Sequence, residues 1–300
     1  MPDLSYPPLP QALRVPVYDN HTHLDPSSAA GFGLDGQGLD WREQLDRASS
    51  VGVRGVVQVG TDLASSRWSA EAAAAEPRML AAVALHPNEV PALAASGELD
   101  AALAEIDELA GRPRVRAIGE TGLDYFRTDE TGRPAQIESF EAHIAIAKRR
   151  GLALQIHDRD AHDDVVATLL RVGAPERTVF HCFSGDPELA RLAAQHGWYC
   201  SFAGTITFKN AQSLRDALVV LPQQRVLVET DAPYLAPMPV RGRPNAPYLI
   251  PHTLRFMADV LGTDASMLAA TITSNTEAVY GSWDAEAPTQ SAPPRGDGTE

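Results

Sequence analysis

Eight short runs of apolar, largely β-branched or small residues recur along the chain, each separated from the next by a segment of helical period. That alternation constrains the fold more than any other feature. The runs are VPVYDNH (15–21), GVVQVG (55–60), MLAAVAL (79–85), VRAIGE (115–120), LALQIH (152–157), TVFH (178–181), WYCSFA (198–203) and VLVETD (226–231). Between them, Leu99, Leu103, Ile106 and Ala110 share one helical face, as do Ile137, Phe140, Ile144 and Ala147, and Leu214, Leu218 and Leu221. Gly52, Gly111, Gly151, Gly173 and Gly197 stand where helical segments give way to the next run, which predicts left-handed caps. Strands that alternate with helices pair in parallel, and eight such units fit a single (β/α)8 TIM barrel of about 250 residues. A doubly wound sheet would use the same alternation, but no Gly-x-Gly-x-x-Gly follows the first run, which removes its dinucleotide-binding version.

The barrel is expected over residues 15–281 of the 300, preceded by a Pro-rich arm (1–14) and followed by a Pro/Gly/Ser-rich tail (282–300) expected to be disordered. No run approaches the roughly 18 consecutive apolar residues of a membrane span, and the first residues lack a secretory signal. Cys182 and Cys200 are far apart, so a disulfide framework and a cysteine zinc knuckle are not expected; Cys182 reads as a small buried neighbour on a strand. Together these features predict a cytoplasmic protein with no evident obligate partner. A net charge of −14 argues against a broad basic surface for nucleic acid, but not against an enzyme that grips one phosphate at a cationic centre.

Polar residues fall where the apolar runs end. His21 and His23 end the first, His86 follows the third, Glu120 ends the fourth, His157 the fifth, His181 the sixth and Asp231 the eighth. Active sites of such barrels form at these C-terminal strand ends. Singly, each residue has a bland explanation: a hydrogen-bonded core histidine, a helix cap, or a turn opened before Pro233. Jointly, four histidines and two carboxylates on one rim supply nitrogen and oxygen ligands for two divalent cations. An H-x-H pair in a period of two points both imidazoles to one side, expected to be the barrel axis. His143, His162, His196 and His252 fall in or near helical segments and read as solvated or locally bonded.

DNHTHLD, ALHP, IGETGLDYFR, IHDRDA, FHCFSG, SFAGTITFKNA, VETDAPYLAP and RGRPNAP occur in that order, and with them the chain resembles the TatD family of metal-dependent deoxyribonucleases and phosphodiesterases from about Val17 to Tyr280. The resemblance implies that His21, His23 and Asp231 hold one cation and His157 and His181 the second. Glu120 would bridge them, where the wider superfamily often uses a modified lysine. It further implies two divalent ions (Mg2+, Mn2+ or Zn2+), a hydroxide generated from water, and Asp231 as proton acceptor beside Glu120. The substrate would be DNA or another phosphodiester, degraded from the 3′ end, and DNA repair is the family-level role.

His86, Arg127, Lys209 and Arg243 are the expected phosphate clamps, with solvated surface charge as the alternative for Lys209 and Arg243. Asp25 and Asp124 are expected to orient ligands from behind. Tyr125 and Phe126 either stack on a base or pack their own loop. Two other functions stay open at this stage: an ester or amide hydrolase such as an aminoacyl-tRNA deacylase, and a non-catalytic metal- or nucleic-acid-binding protein.

Overall fold

In the computed structural model, which describes residues 4–33 and 38–284, eight parallel strands follow one another around a barrel in chain order. They are β1 (Val17–Thr22), β2 (Val53–Val59), β3 (Met79–Val83), β4 (Val115–Asp124), β5 (Ala153–Arg159), β6 (Thr178–Phe180), β7 (Tyr199–Phe202) and β8 (Val226–Val228), with helices in every crossover. The alternation therefore gives the expected TIM barrel. β4 runs four residues past its expected end, whereas β6 and β8 stop short, so His181 and Asp231 lie just beyond the ladder. Among the described residues no ladder joins β8 to β1. That seam is closed near the top by backbone bonds, Asp231 N–H to His21 O (3.0 Å) and His23 N–H to Ala232 O (2.7 Å), and by Asn20 Nδ2 reaching Val228 O (2.7 Å).

Two apolar layers hold this arrangement. Outward strand residues such as Val56, Ile118, Leu154 and Phe202 pack under the helices, while Tyr18, Val57, Leu80, Ala117, Val179 and Leu227 fill the bore. Above the apolar part of the bore lies a buried polar tier. Gln155 donates to Asn20 O and Tyr280 Oη, Tyr280 donates to Asn20 Oδ1, and Asn20 donates to Ser201 Oγ. Each donor there finds a partner, as burial of polar groups requires.

Strand parity departs from a simple alternation at two places. Tyr18 and Asn20 face the bore, so an uninterrupted β1 would turn His21 and His23 outward. Between Asp19↔Val56 and Thr22↔Gln58, however, three residues of β1 cover two of β2. β4 does the same against β5 between Ile118↔Leu154 and Thr121↔Ile156. These bulges reverse the parity and turn His21, His23 and Glu120 inward. Gly122 follows the second bulge: its φ is +141°, and a Cβ there would stand 2.1 Å from the carbonyl oxygen of His157.

Both ends of the described chain pack against the barrel. The N-terminal arm is docked: Tyr248 donates to Pro7 O, Arg255 to Gln11 O and Ala12 O, and Leu13 N–H to Val51 O. Trp283, past the expected boundary at 281, stacks on Tyr18 in the bore at 3.8 Å and 11°. The expected tail from residue 285 onward lies outside the described residues. Four of the five glycine caps have positive φ, but Gly111 remains right-handed at −83°. Cys182 follows β6 in a left-handed bend (φ +40°) rather than lying on the strand.

His143, read as solvated or locally bonded, proves locally bonded and fully buried. Its Nδ1–H donates to Ser139 O (2.7 Å) and its Nε2 accepts from Leu85 N–H (3.1 Å), tying helix Arg133–Arg150 to the end of β3. Burial pushes its pKa down to about 4 from 6.5. Between those values the unfolded chain binds a proton that the native state excludes, so stability falls as pH drops through this window, by on the order of 3 kcal/mol in full. Denaturant titrations at pH 7 and pH 4.5 should show a smaller loss for His143→Gln than for the parent chain; equal losses would refute this account.

Candidate metal centre

Five strand tops deliver the central residues. His21 and His23 come from β1 and the residue just after it, Glu120 from β4 and His157 from β5; His181 and Asp231 follow β6 and β8. The imidazole Nε2 atoms of His21 and His23 face each other at 3.2 Å. Asp231 Oδ1 lies 3.8 and 3.3 Å from them, and Glu120 Oε2 lies 3.6 Å from both. The other oxygen of Glu120, Oε1, turns to His157 Nδ1 (2.6 Å) and His181 Nε2 (2.9 Å). One buried carboxylate thus faces two ligand groups through two different oxygens.

The outer nitrogen of three of these rings is fixed by a specific acceptor. His23 Nδ1–H donates to Val59 O (3.0 Å), His181 Nδ1–H to Glu229 Oε1 (3.1 Å) and His157 Nε2–H to Asp124 Oδ2 (3.1 Å). In the neutral ring, a proton held on the outer nitrogen leaves the inner one as a lone pair, which is the state that binds a cation. The Nε2 atoms of His21 and His23, 3.2 Å apart with carboxylate oxygens around them, call for a positive charge between them, which a proton or a cation supplies. The donor set and its orientation therefore fit divalent cations.

The titration behaviour expresses the same demand. Burial alone would lower the pKa of His23, but the Asp231 and Glu120 carboxylates hold it at about 9. His181 is likewise raised against burial by Glu120 and Glu229, and His157 by Asp124 and Glu120. His21, buried beside His181, is lowered. Burial raises the carboxyl pKa of both Glu120 and Asp231, yet the surrounding imidazoles hold Glu120 well below the usual range and Asp231 below its ordinary value. Among the described residues, three groups of His, Asp and Glu atoms are close enough to share an ion: His21, His23 and Asp231; His21, His181 and Glu229; and His86, Glu120 and His157.

Of the supporting residues, Asp124 reaches one of the clustered imidazoles. It accepts from His157 and Asn88, and its other oxygen accepts from Arg127 N–H. Asp25 caps the short helix Pro26–Ala29 through Ser27 and Ser28 N–H and bonds no ligand imidazole among the described residues. His86 Nδ1 accepts from Asn88 N–H (3.1 Å), which leaves the proton of the neutral ring on Nε2, 3.4 Å from Glu120 Oε1.

Among the expected clamps, Arg127 and Lys209 are exposed. Arg243 is committed elsewhere: its guanidinium donates to Ser5 O, Ser5 Oγ and Tyr6 O, because the docked arm presents these acceptors to it. Two residues escaped the sequence reading. Glu229, fully buried, accepts from His181 and from Cys182 N–H (2.8 Å). Its place two residues before Asp231 was the available signal. Tyr234 stands with its ring centroid 6.3 Å from that of His23, and nothing in the spacing marked it.

A cavity of about 630 Å³ opens at the other end of the barrel, between Arg177, Trp198, Tyr199 and Arg225, and holds none of these ligands. The donor chemistry, not the volume, locates the site.

Comparison with known proteins agrees with this geometry. Residues 18–281 match the family described as TatD related DNase. An uncharacterized metal-dependent hydrolase TatD of Mycobacterium tuberculosis is 43% identical over 269 residues, covering 88% of this chain and 98% of the relative. A protein of Escherichia fergusonii named 3'-5' ssDNA/RNA exonuclease TatD is 34% identical over 245 residues, covering 79% and 91%. The crystal structure of the TatD homolog YjjV from Escherichia coli superposes with a TM-score of 0.76 at 27% identity, covering 89% of this chain and 98% of that one. The chain belongs to the TatD family of metal-dependent hydrolases.

Proposed function

We propose that this chain hydrolyses phosphodiester bonds in DNA, working from the 3′ end, with two divalent cations in its centre. The observation that carries the reading is Glu120, whose two oxygens divide the surrounding imidazoles into two groups. His21, His23, Asp231 and Glu120 would hold one cation, and Glu120, His157 and His181 the other. When bound, such a pair supplies Lewis acidity and lowers the pKa of water toward neutrality. Four neutral imidazoles and two carboxylates around two dications leave a centre of about +2, which suits an anionic phosphodiester oxygen better than a neutral carbonyl. The exonuclease named among the relatives supports the same choice of bond and end.

The chain's own residues have distinct tasks. Asp231, partly exposed beside His23, is placed to accept the proton of an attacking water and return it to the leaving oxygen. His86 presents its Nε2–H toward the centre and donates to a phosphate oxygen. Asp124 holds the His157 ring at a fixed angle and tautomer. Arg127 contributes positive charge at the rim.

Three outcomes follow. Glu120→Ala should bind fewer than two equivalents of Mn2+ and lose at least about 10³-fold in turnover of a 5′-labelled single-stranded DNA. If the parent chain binds two equivalents but leaves every phosphodiester intact, the substrate class is wrong, and carboxylic ester and aminoacyl-tRNA substrates become the next candidates. Asp124→Asn should weaken metal affinity about 10- to 100-fold, read by competition with a chromophoric chelator; unchanged affinity would remove its positioning role. His86→Ala should retain its metal content and lose about 10²-fold in kcat/KM. A loss of metal instead would make His86 a ligand.

A further inference from the structure

Among the described Phe, Tyr and Trp side chains only two stand exposed, Phe126 at 62% and Tyr234 at 48%, and both follow strand ends on the face that carries the metal centre. Isolated exposed apolar groups are ordinary on protein surfaces. Two on one face, with every other described Phe, Tyr and Trp ring at least partly buried, is a placement that asks for a ligand. Phe126 follows β4 and Tyr234 follows β8. Four strands apart in an eight-stranded barrel, they stand on opposite sides of its mouth.

Each ring is braced on one side and open on another. The Arg159 guanidinium lies 3.9 Å above Phe126, covering one face and leaving the other to solvent. Tyr234 meets His23 (6.3 Å, 62°) and Phe32 (5.8 Å, 77°) in edge-to-face contacts, which fix its ring beside a metal-ligating imidazole. The Tyr234 carbonyl accepts from Asn245 Nδ2 (2.6 Å), so the loop that carries it is anchored as well. With a net charge of −14, the chain has little long-range pull on a polyanion. Beyond the contacts to one phosphate, grip on a strand then falls to stacking on its bases, which every base provides through its π-face.

We infer that Phe126 and Tyr234 are base-stacking posts, one on each side of the ligand cluster, that hold the two unpaired nucleotides flanking the scissile phosphate. The inference rests on the phosphodiesterase reading above. Both flanking bases must be free of a complementary strand to lie flat on the rings, so the posts set a requirement for single-stranded ends at the point of cleavage.

The test uses metal-loaded protein and three short single-stranded DNAs: one intact, and two with the base removed on one or the other side of the last 3′ phosphodiester. For the parent chain, kcat/KM should fall about tenfold for either base removed. Phe126→Ala and Tyr234→Ala should each lose about tenfold on intact DNA and then be indifferent to the removal of one base, a different base for each variant. Tyr234→Trp should restore the parent value, and unchanged metal content in the alanine variants separates lost stacking from lost folding. Alanine variants that match the parent on intact DNA, or that suffer the full further penalty for both missing bases, would overturn the inference while leaving the phosphodiesterase reading intact. Failure of the parent chain to cleave any of the three DNAs would overturn that reading, and this inference with it.

Discussion

A single buried carboxylate, Glu120, surrounded by imidazoles that cannot all be comfortable without added positive charge, is the constraint around which the upper half of the barrel is organised. Satisfying it requires ligands from β1, β4, β5, β6 and β8 to converge within a few ångströms. Each convergence is secured from behind by another part of the barrel: Val59 of β2 holds His23, Asp124 of β4 holds His157, and Glu229 after β8 holds His181. Ligand geometry and barrel geometry are in this sense one set of hydrogen bonds.

The overall acidity of the chain and the character of its centre pull in opposite directions only at first sight. Anionic oxygens concentrated in a buried space create a strong local preference for cations, whatever the sign of the distant surface. The same preference raises the pKa of His23 and depresses that of Asp231, so protons occupy the roles that divalent ions fill better. A net charge of −14 selects against loose electrostatic association with polyanions.

Much of this was legible in the sequence because two kinds of information are local. Apolar period and glycine placement reveal strand, helix and their alternation, and a polar residue at the end of an apolar run is visible without knowledge of its neighbours. What was not legible depends on register or on distant partners. The reading of H-x-H as inward-facing reached the right result although β1 carries a bulge that a plain alternation omits. Arg243 sits in a basic loop that suggested phosphate, but its partner is a backbone segment more than two hundred residues earlier. Glu229 looked like one more strand residue, since only the fold reveals that His181 lies across from it. Tyr234 and Trp283 owe their roles to where the barrel begins and ends in space, which no spacing encodes.

The seam between β8 and β1 has a consequence for how the chain becomes active. β1 waits through the whole sequence for its second neighbour, and the bonds that close the gap lie beside His21, His23 and Asp231, not along a ladder. Trp283, later still, is needed to fill the bore beneath. A chain emerging from synthesis, or one cut short near its end, carries His21 and His23 from the start yet cannot assemble a complete set of ligands around them. The donor cluster of this metal-dependent hydrolase is therefore complete only once the first and last strands have met.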